Sequence, residues 1–189
     1  MIRYIFLFII LLEGFVMAIE EPKYTVIKDY GVFELRDYAP YIVAQTKVTG
    51  KPEDMGSKAF KTLAGYIFGN NEEKTKMSMT APVIQEDVAS GSNTALFSFV
   101  MPKKFSMQTL PKPINESIVI KKIASKKIAA LRYSGSWSLE KYKENEKKLL
   151  KAVEQNGFKI IGKPVFARYN SPFSLWFLRR NEVLVEVSN

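Results

Sequence analysis

The sequence contains no cysteine and no histidine. Zinc sites of the usual Cys/His kind are therefore excluded, as are Ser-His-Asp and Cys-His catalytic arrangements. A disulfide framework is excluded too, so the missing cysteines say nothing about redox compartment. Any general base would have to be a carboxylate or a lysine with a displaced pKa. The chain also lacks a phosphate-cradling glycine loop and an Asp-rich metal loop. Its apolar run from Tyr4 to Leu12 falls short of the ~20 residues that a bilayer-spanning helix needs, so no stable membrane span is expected.

What is present is an ordinary globular composition. The 189 residues are 47% apolar and 13% aromatic, enough large side chains for a real core and, at this length, for one domain. Net charge is +9, from 28 basic and 19 acidic residues. Such a surface attracts anions and also keeps a protein soluble. The basic residues are spread along the chain and no RNA- or DNA-binding motif is found, so no nucleic-acid partner is expected.

Residues 1–18 have the layout of a secretory signal peptide. Arg3 gives a basic start, Tyr4 to Leu12 is apolar, and Val16-Met17-Ala18 precedes a cleavage point. The reading is export to a periplasm or beyond, with residues 19–189 as the mature domain. The alternative is a cytoplasmic protein that starts at Met17.

From residue 22 the pattern alternates between strand and helix. Tyr24 to Lys28 is a short β-prone run, and Val32 to Tyr38 alternates apolar and polar residues, the period-2 signature of a half-buried strand. Tyr41 to Val48 is the next strand. A helix over 54–68 follows, with Phe60, Leu63, Ala64 and Ile67 in one apolar stripe and Lys58 and Lys61 near its edges. Gly69, Asn70 and Asn71 stop it. A strand with Met77 and Met79 on one face leads to Thr80-Ala-Pro82-Val83; after the polar loop 86–94, Ala95 to Met101 is a strand. Phe105 to Asn115, with Pro111 and Pro113, reads as a linker. Strands over 117–123 and 127–133 follow. Ser138 is placed to cap a second helix whose buried face is Tyr142, Leu149, Leu150 and Val153. Asn156-Gly157 ends it. The remaining strands are expected over 158–169, interrupted at Gly162 and Pro164, then 173–178 and 182–187, with Asn181-Glu182 in a turn carrying a local charge pair. Trp137 and Trp176 read as packing residues.

The order of elements repeats in halves of about 22–104 and 114–189. Val43-Ala44 and Val48-Thr-Gly50 correspond to Ile128-Ala129 and Tyr133-Ser-Gly135, and Pro82-Val83 to Pro164-Val165. The fold class is α+β: a pseudo-twofold, duplicated ββαββ unit, with two helices packed on one curved, distorted barrel-like antiparallel sheet and a groove between halves.

Several separated segments together resemble the SOUL haem-binding protein family. They are Phe33-Glu-Leu-Arg36 with Tyr38, Tyr66-Ile-x-Gly69-x-Asn71, Met79-Thr-Ala-Pro82-Val83, and Arg179-x-Asn181-Glu182-Val183. The resemblance implies a fold related to effector-binding domains and a ligand, haem or another tetrapyrrole, held against the first helix. It places the site at Phe60, Leu63, Ala64 and Ile67, with Lys58 or Lys61 toward the propionates. Some family members carry a histidine proposed to ligate iron; in this chain only methionines and tyrosines, such as Met77, Met79, Tyr66 and Tyr133, remain for that role.

The apolar stripe is equally what a core-facing helix requires, and methionines commonly fill core gaps. The function expected is non-catalytic binding of a tetrapyrrole by a monomer. The alternatives are an enzyme or effector-binding module for another small amphipathic anion, and a basic, membrane-associated structural protein.

Overall fold

A computed structural model describes residues 19–88 and 93–188. The signal-peptide reading and the middle of the 86–94 loop lie outside the described residues. The elements are β1 (Tyr24–Asp29), β2 (Glu34–Tyr38), β3 (Tyr41–Thr49), α1 (Pro52–Ile67), β4 (Val83–Asp87), β5 (Thr94–Val100), β6 (Ile118–Ile123), β7 (Lys126–Tyr133), α2 (Leu139–Gln155), β8 (Lys159–Ile160), β9 (Val165–Arg168) and β10 (Asn181–Ser188).

Local chemistry sets both helices. Pro52 opens α1 where no backbone N–H is needed, and Glu53 and Asp54 sit at the positive end of its dipole. Ser138 caps α2 by accepting from the Lys141 N–H. After α1, the amide of fully buried Asn71 donates to the Tyr66 and Thr75 carbonyls and its Oδ1 accepts from the Thr75 N–H. This side chain replaces the backbone pairing that the helix end loses.

The strands form one curled antiparallel sheet in the order β1-β2-β7-β10-β9-β4-β5-β3-β6, with β8 paired to β10. The order reads symmetrically about the β9–β4 junction. Each half exchanges its leading strand: β2 pairs with β7 of the second half, and β6 pairs with β3 of the first. The repeat is physical at equivalent turns, since Gly50 and Gly135 both have positive φ (148° and 120°).

Alternation along the strands divides the sheet into two faces. Ala44, Phe97 and Phe99 pack under α1 with Leu63, Ala64 and Ile67. Ala129, Val183 and Val185 pack under α2 with Tyr142, Leu149 and Val153. The opposite, helix-free face carries Tyr38, Ile128, Ala130, Tyr169 and Leu184.

Several expectations are corrected. Residues 173–178 form no strand; only a 3₁₀ turn, Trp176–Leu178, is present. Arg179 donates to the Ser174 and Pro172 carbonyls, which curls the segment out of the sheet's reach. Trp176 is 60% exposed and packs no core. Residues 74–79 have no regular structure; Thr80 makes an isolated bridge to Glu20, and ladder pairing starts at Val83. Both methionines still pack against the α1 cluster, as gap fillers do. Asn181-Glu182 is no turn: both residues are fully buried at the start of β10.

Glu182 accepts two hydrogen bonds from the Arg36 guanidinium (2.7 and 3.1 Å), one from Arg180 (3.0 Å) and one from the Tyr169 hydroxyl (2.8 Å). Burial opposes its ionisation, but the bonds from Arg36 and the two positive charges outweigh that and hold its carboxyl below the ordinary range. The Glu182→Gln variant leaves buried Arg36 with only the part-exposed Glu34 carboxylate (2.7 Å) as counter-ion and should lose about 3 kcal/mol of stability, read by denaturant unfolding. Because the folded pKa lies below the unfolded one, this contribution is complete above about pH 4.5 and disappears as pH falls through the depressed folded value. Unfolding curves collected down the acid range should show a decline in the native protein that the variant lacks.

Candidate functional site

Two depressions occupy the two faces of the sheet. On the helix-free face a groove of about 270 Å³ is lined by Tyr38, Tyr41, Lys121, Lys126, Lys163, Glu86 and Glu186 among others. Its lining is polar and of mixed charge. On the helix face a cavity of about 750 Å³ opens between α1 and residues 169–173. That size lies within the range of roughly 300–1,000 Å³ typical of small-molecule sites.

The larger cavity lies over the seam between halves. Its floor is Val83 and Gln85 of β4, Phe97 and Phe99 of β5, and Arg168 of β9. One wall is α1, through Pro52, Glu53, Gly56, Ser57, Ala59, Phe60 and Lys61. The other is Trp137 with Tyr169 to Phe173. Phe60, 43% exposed, stands edge-on to Phe99 with ring centroids 5.6 Å apart. A planar guest therefore meets aromatic surface on more than one side.

Of the six residues picked from sequence, Phe60 and Lys61 line this cavity. Leu63, Ala64 and Ile67 do not; they lie in the α1 core, Leu63 at 0% exposure. Lys58 is exposed outside the lining, its Nζ near Gly50. The cause is geometric. Residues 53, 56, 57, 60 and 61 share a stripe one shoulder round the helix from 55, 59, 63 and 67, and the second stripe is the greasier one. The opening expected beside Phe60 and Leu63 is present at Phe60 alone.

The residue missed from sequence is Arg168. One of its terminal nitrogens donates to Gln85 Oε1 (2.8 Å), and its guanidinium lies 4.5 Å from the Phe166 ring centroid and 5.4 Å from that of Trp137. Its Nε is buried with no hydrogen-bond partner, and no carboxylate lies within ion-pairing distance among the described residues. Burial brings its pKa down to about 10, a shift that Tyr133 only partly offsets. It stays charged at neutral pH, so the cavity floor carries an uncompensated cation. Trp137 is fixed beside it by donating to Asn181 Oδ1 (2.9 Å), and Asn181 in turn donates to the Gly135 carbonyl. The buried Tyr133 hydroxyl, also unpartnered, has its pKa pushed up by burial.

Fold and cavity together define an α+β protein, two helices on one curled antiparallel sheet, with a cavity of small-molecule size at the seam between its halves. The chain belongs to the SOUL heme-binding protein family, whose model matches residues 19–186. It is 29% identical to heme-binding protein 2 of Mus musculus over 188 residues (89% of this chain, 90% of that protein) and 28% identical to heme-binding protein 2 of Homo sapiens over 184 residues (87% and 88%). In fold it resembles the EcmrR C-terminal domain (TM-score 0.66, 13% identity, 88% of this chain and 98% of that one) and a hydrolase from Listeria innocua (TM-score 0.59, 9% identity, 90% and 93%). Those identities carry the fold alone. Among the described residues no His/Cys/Asp/Glu cluster could hold a metal ion, and no helix is long and apolar enough to cross a membrane.

Gly56 is the gap in the α1 wall: a Cβ there would stand 3.6 Å from the Arg168 guanidinium. Gly56→Leu should narrow the cavity beside Arg168 while gaining about 0.5–1 kcal/mol of helix propensity. Fluorescence of anilinonaphthalene sulfonate, an apolar anion, should rise with the native protein and rise less with the variant, whose unfolding midpoint stays close to the native one.

Proposed function

We propose that this protein binds haem or another tetrapyrrole, without transforming it, in the cavity between α1 and residues 169–173. The observation that carries this is an apolar, aromatic-walled cavity whose floor holds a cation with no counter-ion. A flat macrocycle bearing carboxylates matches both features. Ring area against Phe60, Phe97 and Phe99 supplies affinity, and a carboxylate at Arg168 relieves the cost of keeping that charge out of water. Lys61 at the rim suits a second carboxylate; Arg168 takes the part first given to Lys58. Family membership and the curated relatives support haem as the ligand class.

Bound haem would add a metal centre able to change redox state or take a further ligand. This chain offers that iron little. Of the lining residues only Met79 and Tyr169 belong to types that ligate haem iron. The Tyr169 hydroxyl donates to Glu182, and burial pushes its pKa up, which disfavours the phenolate a metal would need. The residues therefore fit the macrocycle and its carboxylates rather than strong axial ligation.

A non-catalytic reading is compatible with the chain's most buried carboxylate, which lies outside the cavity lining. Glu182, the fully buried carboxylate among the described residues, is held below its ordinary pKa, the wrong direction for a general base. The same recognition chemistry would serve another small amphipathic carboxylate, which is the second reading.

Two titrations test the proposal. Haemin and iron-free protoporphyrin IX should bind saturably, one per chain, with similar affinity. Arg168→Gln should weaken both by roughly 10- to 100-fold, the loss of one charge-assisted hydrogen bond of about 1.5–3 kcal/mol. Haemin binding that is unsaturable, or binding that requires iron and ignores Arg168, would remove the reading.

A further inference from the structure

Beyond the cavity, one surface feature is unexplained by ligand binding or by the core. Between Pro172 and Arg179 the chain reads Phe-Ser-Leu-Trp-Phe-Leu. Phe173 is 94% exposed, and Leu175, Trp176, Phe177 and Leu178 are each more than half exposed. Single exposed apolar side chains are ordinary, but five within six residues are not. Only Phe173 of the five reaches the cavity lining, so a bound ligand covers little of the patch.

The segment is an exposed apolar ridge. Arg179 holds it in shape by donating to the Pro172 and Ser174 carbonyls, and the Arg179 guanidinium lies 4.4 Å from the Trp137 ring centroid. Trp176 and Phe177 meet edge to face at 5.6 Å. The ridge is thus ordered while its apolar side chains face water.

We infer that the ridge Phe173–Leu178 docks the protein on an anionic lipid surface. The local charge favours that occupant over a second copy of the chain. Beside the ridge Arg179 makes no ion pair among the described residues, while Arg180 is already held by Glu182 and Glu21; the whole chain carries +9. Two copies placed ridge to ridge would bring their Arg179 side chains together, whereas acidic headgroups neutralise them. Arg179 spends its hydrogen bonds on backbone carbonyls and makes no ion pair among the described residues, so its charge is free for a phosphate. The composition also fits an interface: Trp and Phe settle at headgroup depth with leucines just below. An exposed apolar ridge buries its area in a deformable bilayer without a matching pocket. The cavity mouth at residues 170–173 then faces the lipid, where a greasy, flat carboxylate dissolves.

Sedimentation with vesicles of phosphatidylcholine, with and without phosphatidylglycerol, tests this on ligand-free protein. Binding should need the acidic lipid and weaken with added salt. The variant Leu175→Ser/Trp176→Ser/Leu178→Ser should bind roughly tenfold more weakly. Its three substitutions are at exposed residues outside the cavity lining, so haemin titration of the same variant should be unchanged. That titration separates failure of this inference from failure of the ligand reading. Native protein that stays in the supernatant, or a triple variant that pellets equally, overturns the inference. So does native protein that self-associates through the ridge in analytical ultracentrifugation and ignores vesicles.

Discussion

One carboxylate organises this molecule. Glu182 is removed from water entirely, and a carboxylate there is tolerable only because Arg36, Arg180 and Tyr169 take its lone pairs. Arg36 belongs to β2 of the first half and Glu182 to β10 of the second, with β7 between them. In register Arg36 faces Ile128 and Glu182 faces Arg132, so their bridge crosses β7 at the small side chain of Ala130. The bridge locks the exchanged strand of one half onto the last strand of the other. It also reaches the candidate site. Tyr169 and Arg180 bracket the segment that forms the second cavity wall, and both are tied to the same carboxylate. Arg180 extends the chain of charges to Glu21.

The duplication explains where the cavity lies. Each helix covers its own half of the sheet, and between the helices the junction of β4 and β9 is left thinly roofed. Small residues of α1, Gly56 and Ser57, face that gap from one side, and Trp137 and the 169–173 segment face it from the other. The guanidinium of Arg168 rises from β9 into it. Nothing in a core needs a cation there. A buried positive charge with no counter-ion is costly, and such costs persist where a ligand repays them.

Much of this was legible before any coordinates. The two helices, most of the strands and the repeat follow from apolar periodicity, caps and matching glycines and are present as read; the strands expected over 74–79 and 173–178 are not. The segments that carried the family resemblance are also explained: Arg36, Asn71, Thr80, Asn181 and Glu182 are buried polar residues that close hydrogen-bond gaps in the fold. Their pattern signals architecture more than ligand. The candidate cavity lies one shoulder round α1 from the stripe read in the sequence. Periodicity finds the greasiest face of α1, which is its core face at Leu63 and Ile67. The cavity face is small, polar and aromatic in turn, so it carries little hydrophobic signal. Arg168 was invisible for a different reason: a lone arginine at a strand end is unremarkable until its surroundings show that it lacks an acid. The 173–178 segment has strand-like composition, but it curls through side chain to backbone bonds that no propensity encodes.

The account rests on the claim that a planar carboxylate occupies the seam cavity with Arg168 as its counter-ion. A crystal structure of the complex with iron-free protoporphyrin IX tests that most directly, because it removes metal ligation as a source of binding. The macrocycle should lie between Phe60 and the Asn170–Phe173 wall, with a propionate on the Arg168 guanidinium. A macrocycle seated instead in the groove on the helix-free face, among Lys121, Lys126 and Lys163, would contradict it.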